Sequence, residues 1–258
     1  GRLIMACGTG KTFTSLRLAE QVAGSGGTVL FLVPSISLLA QTVREWMEHA
    51  SIPIRALAVC SDPKTTKRRQ RDASEDISVT DLALPATTDV AVLRKRLDAA
   101  NADGRSMTVI FATYQSIDVV AQAQSGREPI GLIVADEAHR TSGATLAGQS
   151  ESAFVRVHDN SYLPAIKRLY MTATPRIYDD STKAKAGQEN AILASMDDEA
   201  IFGPELHRLG FGEAVERGLL TDYRVLVLTV DEASVARTFQ QQLSDESHEL
   251  KLDDAAKI

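Results

Sequence analysis

The chain has 258 residues, of which 44% are apolar and only 5% aromatic, enough to bury one α/β core and begin another. Its net charge of −6 argues against a wholly basic nucleic-acid-binding surface, although a local groove can still bind phosphates on an acidic protein. The chain has no apolar run of membrane-spanning length, no signal-peptide layout and only two cysteines, so we expect a cytoplasmic protein without a membrane partner.

Apolar runs alternate with helical spacing along the chain, which predicts an α/β fold built on a doubly wound parallel sheet. In chain order, the predicted strands are residues 2–5, 28–33, 54–59, 107–112, 131–135 and 168–172. The predicted helices are residues 11–23, 35–49, 114–123, 151–158 and 211–217. Because the carboxyl ends of parallel strands share one edge of a sheet, we expect the motifs that follow these strands to meet there.

A phosphate-binding loop is predicted between the first strand and the first helix. Gly8 and Gly10 let backbone N–H groups curl around phosphates, the Lys11 ammonium can reach β and γ oxygens, and the Thr12 hydroxyl can bind Mg²⁺. The full motif has a further glycine where this chain has Met5, so a glycine-rich strand-to-helix turn is the alternative. The predicted ligands are ATP and Mg²⁺, and the predicted nucleotide-binding residues are Ala6, Cys7, Gly8, Thr9, Gly10, Lys11 and Thr12.

Two polar segments interrupt the alternation of strands and helices. Residues 60–106 are too long for an ordinary connection and are predicted to be an insertion, with helical spacing from Val90 to Ala100. Residues 179–190 are predicted to be a mobile surface loop. Within the insertion, the densest positive cluster comprises Lys64, Lys67, Arg68, Arg69 and Arg71. Acidic residues follow this cluster, so a self-compensating surface loop explains it at least as well as a DNA contact does.

Two carboxylates follow the buried strand predicted at residues 131–135, in the sequence Asp136, Glu137, Ala138, His139. Carboxylates at the end of a buried strand are costly unless they serve an ion. In nucleotide hydrolases of this architecture the first carboxylate holds Mg²⁺ and the next polarises the attacking water, so we assign Asp136 to the metal and Glu137 to the water. The alternative is a solvated helix start with acidic residues in its first turn.

The chain resembles the first RecA-like P-loop NTPase domain of superfamily 2 helicases and translocases of the DEAH type. Five ordered segments carry the resemblance: residues 5–12, 30–35, 111–116, 136–139 and 172–175. The chain is more closely similar to the ATPase part of type ISP restriction-modification enzymes and the predicted helicases grouped with them. The stretches that carry this closer similarity are residues 3–16, 152–160 and 219–223.

The resemblance implies a domain organisation. Residues 1–222 correspond to the first RecA-like ATPase domain, and residues 223–258 to a linker and the start of a second RecA-like domain. In this second part, residues 224–230 are predicted to be a strand and residues 233–243 a helix. The family's γ-phosphate-binding arginines and its adenine-holding segment have no counterpart here, so we expect the chain to be part of a longer protein. Nuclease and methyltransferase modules would lie outside it.

The resemblance also implies contacts with the DNA backbone. They fall on Pro34, Ser35, Thr113, Tyr114, Gln115 and Ser116. Hydroxyls, amides and helix N-termini at such positions can bind phosphates. For Pro34 and Ser35, a helix start with a serine cap is an adequate explanation by itself, and both roles can hold together.

By the same resemblance, His139 and the segment Thr172, Ala173, Thr174 would couple the state of the γ-phosphate to the grip on DNA. Alternatively, His139 caps a turn and the threonines satisfy local backbone groups. The predicted catalytic set comprises Lys11, Asp136, Glu137 and His139. The other histidines have no metal-ligand spacing and are predicted to be structural or exposed.

These features together predict an ATP-dependent DNA translocase or helicase module, the motor of a restriction-modification enzyme, which hydrolyses Mg·ATP to move along duplex DNA. One alternative is another superfamily 2 motor, such as a type I or type III restriction subunit or an RNA helicase. The other is an ATP-binding switch that does not move. Stimulation of ATP turnover by duplex DNA, single strands or RNA separates these possibilities.

Overall fold

The computed structural model describes residues 1–60, 84–101, 104–146, 154–188 and 191–222. The chain divides into two units, Gly1–Leu220 and Thr221–Ile258, and only residues 221 and 222 of the second are described. The strand predicted at 224–230, the helix predicted at 233–243 and the basic cluster at 64–71 therefore lie outside the described residues.

Seven parallel strands form the central sheet of the first unit. They are β1 (Arg2–Met5), β2 (Thr28–Val33), β3 (Ile54–Val59), β4 (Met107–Thr113), β5 (Ile130–Ala135), β7 (Ala165–Thr172) and β9 (Glu205–Leu209). Their order across the sheet is β3-β4-β2-β5-β7-β1-β9. A separate antiparallel pair is formed by β6 (Gly143–Leu146) and β8 (Ala191–Ala194).

Helices cover both faces of this sheet. They are α1 (Lys11–Val22), α2 (Ile36–His49), α3 (Val90–Asn101), α4 (Ile117–Gln124), α5 (Asp180–Gln188), α6 (Glu199–Phe202) and α7 (Phe211–Glu216). Leu16 of α1 and Trp46 of α2 pack into the core on one face, while Leu93 of α3 and Val120 of α4 pack into the core on the other. The apolar strands between them are buried on both sides, and the predicted doubly wound α/β sheet is confirmed.

The structure changes the interpretation of three predicted segments. Residues 90–101 of the predicted insertion form α3, which connects the neighbouring strands β3 and β4 and agrees with the helical spacing. The prediction of a mobile loop at 179–190 is wrong, because α5 occupies most of it. Asp179 Oδ1 accepts a hydrogen bond from the Thr182 N–H at 2.7 Å and so caps this helix. Of the helix predicted at 151–158, residues 155–158 form a single 3₁₀ turn.

Three short strands were not predicted, namely β6, β8 and β9. In β9, Glu205 and Arg208 are exposed and form an ion pair at 2.6 Å, and charged side chains are common on edge strands. Because of these charged residues, the strand has neither an apolar run nor a clean alternation. The helices of the described part of the chain include none long and apolar enough to cross a membrane.

Candidate ATP-binding and hydrolysis site

The predicted motifs follow strand ends that lie on the same edge of the sheet. Ile4 of β1 is opposite Thr172 of β7, so the ends of these neighbouring strands are level. Ala135 of β5 is opposite Tyr170 of β7 on one side and Leu32 of β2 on the other. The segments that leave β1, β5 and β7 therefore emerge side by side, as the sequence predicted.

The loop after β1 has the backbone geometry of a phosphate cradle. Gly8 and Gly10 have φ angles of 79° and 90°, in the left-handed region that side chains with a Cβ disfavour. A Cβ on Gly8 would also approach Leu220 to 3.3 Å. Gly10 precedes α1 without a side-chain cap, so the first-turn N–H groups of this helix remain for a ligand. The loop therefore fits a bound phosphate group.

Lys11 and Thr9 are held close to the loop backbone. Lys11 Nζ donates hydrogen bonds to the Met5 carbonyl at 3.1 Å and the Ala6 carbonyl at 3.3 Å. The Thr9 hydroxyl donates to the same Ala6 carbonyl at 2.7 Å, and the Ala6 N–H donates to the Leu209 carbonyl at 2.9 Å. The ammonium thus lies at the loop, and β9 anchors the loop from the other side. Cys7 is exposed there and Thr12 is half-buried.

The cost of burying the ionised form of Asp136 is only partly offset by its neighbours. Burial raises its pKa to about 6, the charge of Glu137 acts in the same direction, and the Lys11 charge and the hydrogen bond from the Glu137 N–H oppose the rise. That N–H lies 2.9 Å from Asp136 Oδ1, and the Asp136 N–H donates to the Leu32 carbonyl at 2.9 Å. A divalent cation would favour the ionised form, so the chemistry of this carboxyl fits a Mg²⁺ ligand.

Glu137 has a φ of 49° and a ψ of 45°, the one left-handed non-glycine residue among those that the structure describes. Such a conformation costs free energy and is concentrated at functional sites. It directs the Glu137 carboxylate to within 3.4 Å of His139 Nδ1. The two acidic residues therefore face different partners, although they are adjacent in sequence.

His139 also contacts the turn after β7. Its Nδ1 lies 3.0 Å from the Thr172 hydroxyl oxygen, which accepts a hydrogen bond from the Thr174 N–H at 3.1 Å. Thr172 is fully buried, whereas Ala173 is half-buried and Thr174 exposed. The structure thus joins the two motifs for which coupling was predicted. It also satisfies the local-backbone alternative, since Thr172 does bond to a nearby N–H.

The segment after β4 differs from its predicted role as a DNA contact. Tyr114 is fully buried, and its hydroxyl donates to the Asp136 carbonyl at 2.8 Å. Burial raises the pKa of this hydroxyl well above its usual value, so it keeps its proton. Thr113 and Ser116 are 4% exposed each and hydrogen-bond to one another at 3.1 Å. In this structure the side chains of these three residues do not form a surface, and only Gln115 is exposed.

The start of α2 has the geometry of a capped helix. Ser35 Oγ accepts a hydrogen bond from the Leu38 N–H at 3.3 Å, as the serine-cap explanation required. Ser35 remains half-exposed, whereas Pro34 is buried. Because Val33 and Thr113 are opposite one another in β2 and β4, Ser35 and Gln115 leave neighbouring strand ends.

Glu45 acts on the site through its charge without belonging to a predicted motif, whereas His158 lies outside the site and contacts β7. The charge of Glu45 on α2 contributes to the raised pKa of Asp136, although no strand-end motif contains it. His158 is buried between two partners, since Nδ1 lies 2.9 Å from the Tyr170 hydroxyl and Nε2 lies 3.0 Å from the Thr141 carbonyl. Of the two predicted possibilities, structural or exposed, these contacts agree with the first. Burial lowers the pKa of this imidazole.

Comparison with known families decides the identity of the domain. The family model described as "Type III restriction enzyme, res subunit" matches residues 1–177. The chain belongs to this family. The resemblance to superfamily 2 helicases close to the type ISP enzymes is thereby confirmed, together with the RecA-like fold.

Two solved structures of type ISP enzymes are similar to this chain. LlaBIII, described as an ATP-dependent Type ISP restriction-modification enzyme bound to DNA, is 41% identical with a TM-score of 0.73, over 100% of this chain and 16% of that one. A nuclease-deletion mutant of the Type ISP enzyme LlaGI, in complex with a DNA substrate mimic, is 39% identical with a TM-score of 0.63. This match covers 85% of this chain and 18% of that one.

A viral protein is also similar. The protein named "Probable helicase" of African swine fever virus, isolate Pig/Kenya/KEN-50/1950, is 28% identical over 228 residues, which are 87% of this chain and 21% of that protein. The chain therefore spans about a fifth of the length of the relatives that it matches.

Proposed function

We propose that this chain is an ATP-dependent DNA translocase or helicase module, the motor of a restriction-modification enzyme, which hydrolyses ATP to ADP and phosphate. The observation that carries the proposal is the convergence of Lys11, Asp136 and Thr172 on one sheet edge, at the ends of β1, β5 and β7. LlaBIII is described as ATP-dependent and bound to DNA, and LlaGI as in complex with a DNA substrate mimic, and the similarity to both supports ATP and DNA as ligands.

The proposed nucleotide site divides the work among the described residues. The backbone from Ala6 to Thr12 surrounds the phosphates, and Lys11 turns its ammonium from the Met5 carbonyl toward the β and γ oxygens. Thr12 and Asp136 would hold Mg²⁺. When bound, Mg²⁺ neutralises phosphate charge and polarises the phosphoryl group.

Glu137 is proposed to orient the attacking water and to accept its proton. The left-handed backbone at this residue places its carboxylate within 3.4 Å of His139 Nδ1, so it can orient water while Asp136 serves the metal. His139 and Thr172 then transmit a change at Glu137 to the turn after β7. This series of contacts is the proposed route of coupling to DNA.

The proposed DNA-binding surface is the edge formed by Ser35, Gln115 and the N-terminus of α2, which would contact the backbone of DNA. We propose that residues 1–222 act as a first RecA-like domain and that residues 223–258 begin a second. We propose that nuclease and methyltransferase modules lie outside this chain, since it covers only 18% and 16% of the type ISP enzymes that it matches.

The test is steady-state ATP turnover of the full-length protein with duplex DNA, single-stranded DNA, RNA or no nucleic acid. We expect duplex DNA to raise turnover most, and displacement of a third strand from a triplex to accompany it. Greater stimulation by RNA would indicate an RNA helicase. ATP binding without stimulation by any nucleic acid would indicate a switch. Glu137→Gln in the same assay separates turnover at this site from contaminating ATPases.

A further inference from the structure

The Tyr114 hydroxyl joins two strand ends that are not neighbours. Tyr114 follows β4 and Asp136 follows β5, and β2 lies between these strands in the sheet. The hydroxyl nevertheless donates to the Asp136 carbonyl at 2.8 Å. This hydrogen bond therefore crosses the edge of the sheet, from the segment proposed to face DNA to the proposed metal ligand.

Tyr114 is held in this position by packing and by its hydrogen bond. Its ring is fully buried and stacks on Phe154, with centroids 4.8 Å apart and an interplanar angle of 27°. A hydroxyl buried without a partner would cost free energy, so the bond to Asp136 and the burial of the ring stabilise one another. The bond between Thr113 and Ser116 closes the turn around it. Gln115 is thus an exposed residue between two buried ones.

Asp136 is fixed by bonds at three places. Its N–H donates to Leu32, its Oδ1 accepts from the Glu137 N–H, and its carbonyl accepts from Tyr114. The carbonyl belongs to the peptide group that joins Asp136 to Glu137. A displacement of Tyr114 would therefore turn the peptide that orients both carboxylates.

We propose that Tyr114 is a positioning residue that couples the Thr113–Ser116 segment to the Asp136–Glu137 peptide. The inference rests on the proposed function, because Gln115 is taken to face DNA and Asp136 to hold the metal. Contact at Gln115 moves the buried tyrosine beside it, and the hydroxyl carries that movement to the carbonyl of Asp136. Small displacements of positioned groups alter catalytic rates strongly.

The chain offers a matched pair of variants, Tyr114→Phe and Tyr170→Phe. Both tyrosines are almost completely buried, and each variant removes one hydroxyl while keeping the ring. The Tyr170 hydroxyl lies 2.9 Å from His158 Nδ1 and has no bond to the Asp136 peptide. A general loss of stability from a buried hydroxyl should therefore be similar in the two variants.

Two measurements on the full-length protein decide the proposal. In Tyr114→Phe, we expect DNA-stimulated turnover to fall by roughly tenfold or more, with KM for ATP within about twofold of the parent value. In Tyr170→Phe, turnover should remain within about twofold of the parent value. In hydrogen exchange without nucleotide, the amides of residues 136–138 should exchange faster in Tyr114→Phe than in Tyr170→Phe.

Equal turnover in the two variants would overturn the proposal, as would equal exchange at residues 136–138. If the parent enzyme itself shows no stimulation by DNA, the proposed function fails while the exchange experiment still decides whether Tyr114 positions the peptide. Faster exchange in Tyr114→Phe alone would then support positioning of Asp136, and unchanged exchange would reject it.

Discussion

His139 Nδ1 lies 3.0 Å from the hydroxyl oxygen of Thr172. This contact joins the turns that follow the neighbouring strands β5 and β7. The same nitrogen lies 3.4 Å from Glu137 Oε2, and the same hydroxyl oxygen accepts from the Thr174 N–H. The proposed water-orienting carboxylate is therefore two contacts from the buried end of β7 and three from the exposed Thr174.

Thr172→Val tests this connection, because valine has nearly the same shape and lacks the hydroxyl. We expect translocation per ATP hydrolysed to fall by about tenfold, while ATP binding is retained, since a positioned contact has been removed and the nucleotide loop has not. Triplex displacement and ATP turnover, measured together, check it. Thr108→Val is the control. Thr108 is also buried, but it lies at the start of β4, away from the sheet edge that carries the nucleotide site. An unchanged displacement-to-turnover ratio in Thr172→Val would exclude coupling through the hydroxyl.

Glu137→Gln keeps the size of the side chain and removes its charge. We expect nucleotide binding to persist and turnover to fall by about 10²-fold or more, since the amide cannot accept the water's proton. Glu45→Gln is the matched control, because both carboxylates raise the pKa of Asp136 and only Glu137 contacts His139. Turnover in Glu45→Gln should stay within about twofold of the parent value. Parent-like turnover in Glu137→Gln would reject its assigned role.

Lys11→Ala removes the ammonium that lies over the phosphate loop. Its bonds are to two loop carbonyls at a half-exposed site, so we expect the fold to survive and nucleotide affinity or turnover to fall severely. Titration with a fluorescent nucleotide and thermal unfolding measure the two effects. Lys167→Ala, at an exposed position in β7, should change neither. Undiminished hydrolysis by folded Lys11→Ala would place the catalytic site elsewhere.

Asp136→Asn should stabilise the chain while it abolishes turnover. The pKa of Asp136 is about 6 in the folded chain against 3.8 for an ordinary aspartate, so the folded state binds the proton more tightly and the ionised form destabilises it at neutral pH. A shift of this size corresponds to at most about 3 kcal/mol. In metal-free buffer at pH 7.5 we expect Asp136→Asn to raise the free energy of unfolding by about 1–3 kcal/mol. Urea unfolding at pH 7.5 and pH 4 is the measurement, since the gain should disappear below about pH 4.

His158 should make the fold sensitive to acid. Burial lowers its pKa below the ordinary 6.5, so as the pH falls through 6.5 the unfolded chain takes up this proton before the folded chain does, and stability decreases. The free energy of unfolding should therefore fall less between pH 7 and pH 5 in His158→Gln than in the parent chain. His49→Gln, at an exposed position, is the control. Parallel pH profiles for the parent and His158→Gln would contradict this prediction.

The strands of the central sheet could be predicted where they are buried on both faces. Strands β2, β4 and β5 are continuous apolar runs, and each is followed by polar residues that the parallel arrangement brings to one edge. The nucleotide loop was predictable for the same reason, since its glycines and Lys11 directly follow such a strand. Local pattern and global fold agree at these positions.

The partners of individual side chains were not predictable in the same way. Tyr114 follows a buried strand as Ser35 does, but its hydroxyl bonds to a backbone carbonyl two strands away, which no periodicity encodes. Strand β9 was missed because four of its five residues are exposed, and it joins the sheet through backbone pairing with β1. Tertiary contacts of this kind depend on which strands become neighbours.

The position of β1 in the sheet has a consequence for how the chain acquires its site during synthesis. Leu3 lies opposite Met171 on one side and His207 on the other, so the first strand finds both neighbours only after most of the domain has left the ribosome. Long-range parallel pairing of this kind is slow, because the entropy of closing a large loop is lost before any stabilising contact forms. The nucleotide loop, although it precedes β7 and β9 in the chain, should therefore be among the last parts of the domain to become ordered.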